Sequence, residues 1–237
     1  MKPNAAQPAA RPAAPTLAAQ VIVFAKAPVA GQAKTRLIPA LGAAGAAALA
    51  ERLLDHAVAQ ALAAGLGRVG LCVTPSAAHP AFQRLRARHS LSITLQGDGG
   101  LGQRMDRALT DAMTPTPPGG AGVLLMGSDA PALSAAVLRA AAAALDDADA
   151  VLVPALDGGY VLVGLRRPAP VLFAGVAWST GQVMAQTRQR AAAAGLRLAV
   201  LPALADIDEP ADLLHLHHLP PLPAPPPPPP LPARHPA

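Results

Sequence analysis

Seven short apolar runs punctuate this chain: VIVFA (21–25), RVGLCVT (68–74), LSITLQ (91–96), GAGVLLMG (120–127), AVLVPAL (150–156), YVLVGL (160–165) and LRLAVLPAL (196–204). They are bounded by turn residues and mix β-branched with other apolar side chains, as buried strands do. Between them lie stretches of helical length: GAAGAAALAERLLDHAVAQALAAG (42–65), PAFQRLRARH (80–89), LGQRMDRALTDAM (101–113), SAAVLRAAAAAL (134–145) and TGQVMAQTRQRAAAAG (180–195). EPADLLHLHH (209–218) reads as a terminal helix. Strands that alternate with helices imply right-handed crossovers and a sheet covered on both faces. The expectation is an α/β fold, doubly wound, with a mainly parallel sheet. In such folds a ligand sits beyond the carboxyl ends of the strands. A polar group just after a strand is therefore a candidate, and one just before a strand is not.

The 237 residues suit one domain with tails, expected as a body over 20–218 between Pro-rich ends at 1–19 and 219–237. The tail LPPLPAPPPPPPLPARHPA reads as solvated polyproline, since proline lacks the donor that helix and sheet need. A weak partner with an aromatic-lined groove is the other reading. A formal charge of +5 without long basic runs or interleaved aromatics argues against nucleic acid and fits an anionic small substrate. The single cysteine, Cys72, reads as a buried hydrophobe and excludes an internal disulfide. The N-terminus lacks a signal-type apolar segment, and no stretch reads as a membrane span, so the expectation is a cytoplasmic protein.

Among 19 basic residues only three are lysines, and two of these, Lys26 and Lys34, lie in VIVFAKAPVAGQAKTRL (21–37). This Gly-containing loop follows a strand. With Gly31, Lys26, Lys34 and Arg36 it can cradle phosphates through backbone N–H groups and cationic side chains. It is neither a Walker A loop, having Ala33 and Pro28 where that motif needs glycine, nor a dinucleotide fingerprint. Carboxylates sort by the same filter. DAD (147–149) precedes a strand and reads as a solvated connection. DID (206–208) follows one, so Asp208 is either a helix cap or functional. Asp129 in GSDAP emerges past a strand, where an unpaired carboxylate suits Mg²⁺ or Mn²⁺, or else it caps the next helix. DGGY (157–160) is a tight turn by composition, yet Asp157 and Tyr160 would face the crevice. QGDGGLGQRM (96–105) opens a helix toward the same edge, which adds Asp98 and Arg104 to the nucleotide or phosphate candidates. Trp178 is either core or a sugar-stacking surface.

Taken in order, VIVFAKAPVAGQAKTRL, GLGQRM, LLMGSDAP, DGGYVLVGL, WST and DIDEPADL resemble a GT-A-fold glycosyltransferase-like family. Its members are often encoded beside radical-SAM and selenium or arsenic genes and are labelled arsenosugar-biosynthesis glycosyltransferases. The opening segment and GSDAP also resemble phospholactate guanylyltransferases. The resemblance implies phosphate binding by Lys26, Lys34 and Arg36, and a metal on Asp129. GSDAP departs from a full D-x-D, which leaves the second ligand open between Asp208 and Asp157. The expected activity is metal-dependent transfer from a nucleotide-activated donor, a nucleoside-diphosphate sugar, to a small acceptor. Nucleotidyl transfer with release of pyrophosphate is the alternative, and a non-catalytic nucleotide-binding scaffold the third reading. Asp157 is the first candidate for an acceptor-activating base, with Asp208 beside it.

Overall fold

The computed structural model describes residues 19–114 and 122–219. The expectations for the two Pro-rich ends lie outside these residues, apart from Ala19 and Leu219, which are both buried. Seven strands form one sheet in the order β3-β2-β1-β4-β6-β5-β7. They are β1 (Gln20–Lys26), β2 (Val69–Thr74), β3 (Ser92–Leu95), β4 (Val123–Gly127), β5 (Ala150–Pro154), β6 (Tyr160–Leu165) and β7 (Leu198–Val200). All neighbours run parallel except β6, which is antiparallel to both β4 and β5. The reason is local. Only a short turn joins β5 to β6, and a parallel return would need a crossover.

Side-chain alternation divides the core in two. Val21, Val23 and Ala25 of β1 face the layer that contains α1 (Ile38–Ala63), α2 (Pro80–His89) and α4 (Ala135–Ala144). Ile22 and Phe24 face the layer of α3 (Leu101–Met113) and α5 (Val183–Ala193). The helices are Ala-rich, so a few large side chains dominate their burial. Leu53, Leu54 and Val58 on α1 are fully enclosed, each contributing about 1.5–3 kcal/mol.

Helix α1 has a break at Gly42, with φ 69° and ψ 165°, so its regular part starts where the sequence expectation put it. Residues 35–64 are long and apolar enough to cross a membrane by length and composition, with mean hydropathy 1.4. By itself one such helix makes no clear membrane span. Here Leu49, Leu53, Ala57 and Ala61 are buried inside the domain, and the apolarity serves the core. The expected terminal helix is a 3-10 helix, Pro210–His218.

Two capping expectations are decided. Ser134 caps α4 by accepting from Val137 N (3.4 Å). Glu209, not Asp208, is the N-cap of the terminal helix, and Asp212 accepts from the backbone N–H of both residues (2.7 and 3.0 Å). Asp129 and Asp208 are thereby free for other work.

Candidate active site

A cavity of about 510 Å³ opens at the carboxyl edge of β1 and β4, beside the start of α3. Its apolar wall includes Phe24, Leu125, Val163, Leu101 and Met105. Charged groups reach it from four places: Lys26 at the end of β1 with Lys34 and Arg36 in the loop beyond, Arg104 on α3, Asp129 after β4 and Asp208 after β7. Tyr160 also lines it, although it opens its strand. Because β6 runs antiparallel, its first residue lies at this edge, paired with Pro154 at the end of β5.

At the acidic end of the cavity, Lys34 is held in the left-handed region at φ 46°. Its Nζ donates to Asp208 Oδ1 at 2.6 Å and to Asp129 Oδ2 at 3.1 Å. Burial on its own would lower the ammonium pKa; the two carboxylates outweigh it, and the net direction is up. The two acidic loops are also tied through the backbone, Ile207 N donating to Asp129 O at 2.9 Å. In DID the middle residue, Ile207, is wholly buried beside Leu37, Leu49 and Leu53, and the carboxylates either side of it are partly exposed. Asp206 is the group that sequence reasoning passed over. Burial first, then the charges of Asp129, Asp157 and Asp208, push its pKa up to about 6. Its signal was present, since it leads the same post-strand triplet that nominated Asp208.

The remaining candidates separate. Lys26 donates from Nζ to Gln32 O (2.9 Å), and Arg36 makes a loose, exposed pair with Glu209 (3.7 Å), a contact worth under about 1 kcal/mol. Gly31 has φ 79°, a backbone shape that favours glycine, and is exposed in the same loop. Asp98 is exposed, and its backbone carbonyl accepts from Arg107; it does not line the cavity. Asp157 Oδ1 accepts from Gly159 N (2.8 Å), pinning the carboxylate in its own turn off the cavity wall. It still lies close enough to raise the pKa of Asp206. Gly158, at φ 92°, leaves no room for a side chain: a Cβ would stand 2.4 Å from Gly181 O.

Trp178 stacks on Phe173 (centroids 6.4 Å, 19° between planes) and meets Tyr160 edge-on (6.1 Å, 84°). A Cβ on Gly102 would fall 2.5 Å from its indole nitrogen, so the ring is wedged against the start of α3. Trp178 therefore packs behind the cavity and braces Tyr160, which is the residue that faces inward. Burial drives the Tyr160 phenol pKa upward and keeps it neutral.

A family profile described as "Uncharacterized protein conserved in bacteria (DUF2064)" matches residues 54–180, more than half of the chain. The chain belongs to this family. Its structure is similar to that of a protein described as "putative nucleotide-diphospho-sugar transferase" from Desulfovibrio desulfuricans G20, with TM-score 0.75 and 30% identity over 84% of this chain and 85% of that one. It also resembles a 4-diphosphocytidyl-2C-methyl-D-erythritol synthase from Anaerococcus prevotii DSM 20548 (TM-score 0.55, 10% identity, 84% and 94% covered). A nucleotidyl transferase from Methanothermobacter thermautotroptrophicus gives TM-score 0.52 at 18% identity, with 84% and 97% covered. At such identities these last two speak to the fold alone. No curated protein matches the chain. The DUF2064 chain thus has the sheet and helix arrangement common to nucleotide-diphospho-sugar transferases and nucleotidyltransferases, as its sequence led one to expect.

Proposed function

We propose that this DUF2064 protein is a transferase acting on a nucleotide-activated donor, and specifically a glycosyltransferase using a nucleoside-diphosphate sugar. One observation carries the reading: carboxylates from the ends of β4 and β7 converge on a single cation, the Lys34 ammonium, at a cavity that also presents Lys26, Arg36 and Arg104. The 30% identical relative from Desulfovibrio desulfuricans, described as a "putative nucleotide-diphospho-sugar transferase", supports it.

A divalent cation fits these residues. Two carboxylates, Asp129 and Asp208, share one ammonium, that of Lys34, and Asp206 lies close enough to feel both. Among the described residues no group of three or more His, Cys, Asp and Glu side chains is placed to hold a metal. That suits a Mg²⁺-type ion, which is held by one or two carboxylates together with substrate phosphates. Asp129 and Asp208 would hold it, and when bound it neutralises the charge that develops on a departing diphosphate. The chain's own contribution is to position and to exclude. Lys26, Arg36 and Arg104 set positive charge around the phosphates, while Phe24, Leu125 and Met105 keep water from the floor. With Asp208 given to the cation, Asp157 at the turn and Asp206, whose pKa is pushed up to about 6, are the candidates to take the acceptor's proton.

Product analysis tests the reading. The protein is incubated with Mn²⁺ and a panel of nucleoside-diphosphate sugars and nucleoside triphosphates. Release of a nucleoside diphosphate is the expected outcome. Pyrophosphate from a triphosphate would replace sugar transfer by nucleotidyl transfer, and inertness toward both panels would sink the transferase reading. The arsenosugar type and the kinship with phospholactate guanylyltransferases stay within this proposal, as acceptor and donor classes for the panel. So does a cytoplasmic setting, motivated by the lone, buried Cys72, and checked by fractionating cells that express the full chain.

A further inference from the structure

Gln96 is 3% exposed at the carboxyl end of β3, among the few buried polar residues of the domain. Its backbone N–H continues the sheet by donating to Val73 O at 2.9 Å. Its side-chain nitrogen donates to Ala25 O (3.1 Å) and Cys72 O (3.2 Å), near the ends of β1 and β2. Carbonyl oxygens only accept, so the amide's NH₂ must face them and its orientation is settled by chemistry. Oε1 is left pointing the other way, where it accepts from Arg104 Nη1 at 2.9 Å.

Arg104 stands in the first turn of α3 and lines the cavity. Four other arginines find acids, Arg84 with Glu51 and Asp55, Arg36 with Glu209, and Arg167 and Arg197 with Asp149, while Arg107, Arg139, Arg166 and Arg190 donate to backbone carbonyls. Among the described residues Arg104 has no carboxylate within ion-pair distance, and its enclosed Nε has no hydrogen-bond partner. A part-buried guanidinium that leans on a neutral amide is short of an anion. Were Gln96 a glutamate, its charge would be met from within. The amide fixes the fork's position and leaves its charge unspent.

We infer that Gln96 is a positioning residue that aims Arg104 at an anionic oxygen of the bound ligand, a phosphate or a carboxylate, at the α3 end of the cavity. The ligand is then gripped at two poles, its cation-dependent part near Asp129 and Asp208 and a second anionic contact on Arg104. This rests on the transferase reading and adds a contact to it. The planar fork suits two-point recognition of phosphate or carboxylate.

A double-mutant cycle tests it, read by calorimetric titration of UDP and, separately, of 3-phosphoglycerate, each with Mn²⁺. Arg104→Met should weaken binding of at least one probe roughly tenfold or more, on the scale of a charge-assisted contact. Gln96→Met should weaken the same probe several-fold in the wild-type background and have little effect once Arg104 is Met. A purely structural Gln96 would instead cost the same in both backgrounds, which overturns the positioning role. Loss confined to UDP puts the anion on the donor, and loss confined to 3-phosphoglycerate puts it on the acceptor; either supports the inference. Should Gln96→Met not fold, Arg104→Met and Arg104→Lys carry the test, with Lys restoring the charge but not the fork and recovering part of the loss. Unchanged affinity of Arg104→Met for every probe that wild type binds overturns this inference and leaves the transferase reading standing. A wild type that binds neither probe overturns both.

Discussion

At the amino edge of the sheet, Asp147-Ala148-Asp149 precedes β5; at the carboxyl edge, Asp206-Ile207-Asp208 follows β7. In the first triplet Asp149 is saturated. It accepts from Arg197 N (2.9 Å) and lies within 3.4 Å of both the Arg197 and Arg167 guanidinium groups. The backbone bond from Arg197 foremost, then the guanidinium contacts, lowers its pKa. In the second triplet burial and three neighbouring carboxylates raise Asp206, and a single lysine serves both Asp129 and Asp208. Acids on the amino edge are compensated and hold the chain together. Those on the carboxyl edge are under-compensated, which costs stability and leaves an appetite for cations.

The largest break in this contrast should come from Asp129→Asn. Calorimetric titration of UDP with Mn²⁺ should show a loss of roughly tenfold or more, as for removal of a metal-site group. Asp149→Asn should leave that affinity alone and lower the melting temperature. Equal behaviour of the two variants in binding would erase the distinction between the edges.

Lys34→Met comes next. Without its internal ammonium, the acidic pair should bind Mn²⁺ alone several-fold more tightly, while UDP binding measured in chelator weakens. Weaker Mn²⁺ binding in the variant would mean that Lys34 organises the pair rather than occupying its place.

The smallest effect lies in stability against pH. The folded pKa of Asp206, about 6, is above the ordinary aspartate value of 3.8. The fold therefore binds the extra proton between those values, and stability falls as pH rises through this window. With screening at a half-buried site, the cost above pH 6 is of order 1 kcal/mol. Asp206→Asn should recover it at pH 8 and change little at pH 4, as followed by urea unfolding. Asp149 has the opposite sign: its stabilisation is present above the unfolded pKa and is lost as pH falls through the lowered folded one. An Asp206→Asn variant whose stability gain is the same at both pH values would remove titration as the cause.

The strands, the helices and the edge that carries the site were legible because hydrophobic periodicity and chain punctuation are local. Asp149 could be set aside from its place before a strand, and Asp129 picked out from its place after one. What local pattern could not give is who meets whom. Nothing near Lys34 says that its charge is taken by residues 95 and 174 positions away. Gln96 shows the same limit, reading as a strand's last polar residue until three neighbouring segments converge on its amide. Tyr160, by contrast, is legible as crevice-facing from its turn, and the reversal of β6 is what carries it there. Asp157 illustrates the converse: a side chain in the right neighbourhood is bound into its own turn, a competition that Asp residues in turns often win.

Ile207 carries a further consequence. Its side chain is locked in the core and its N–H is bonded to Asp129 O, so the segment that bears Asp208 cannot travel without unpacking apolar contacts. Any exchange of partners at the acidic end must then be made by side chains turning about fixed Cα positions. Such turns take picoseconds to nanoseconds, against nanoseconds to microseconds for a moving loop. The clock of this pocket is set by rotamers.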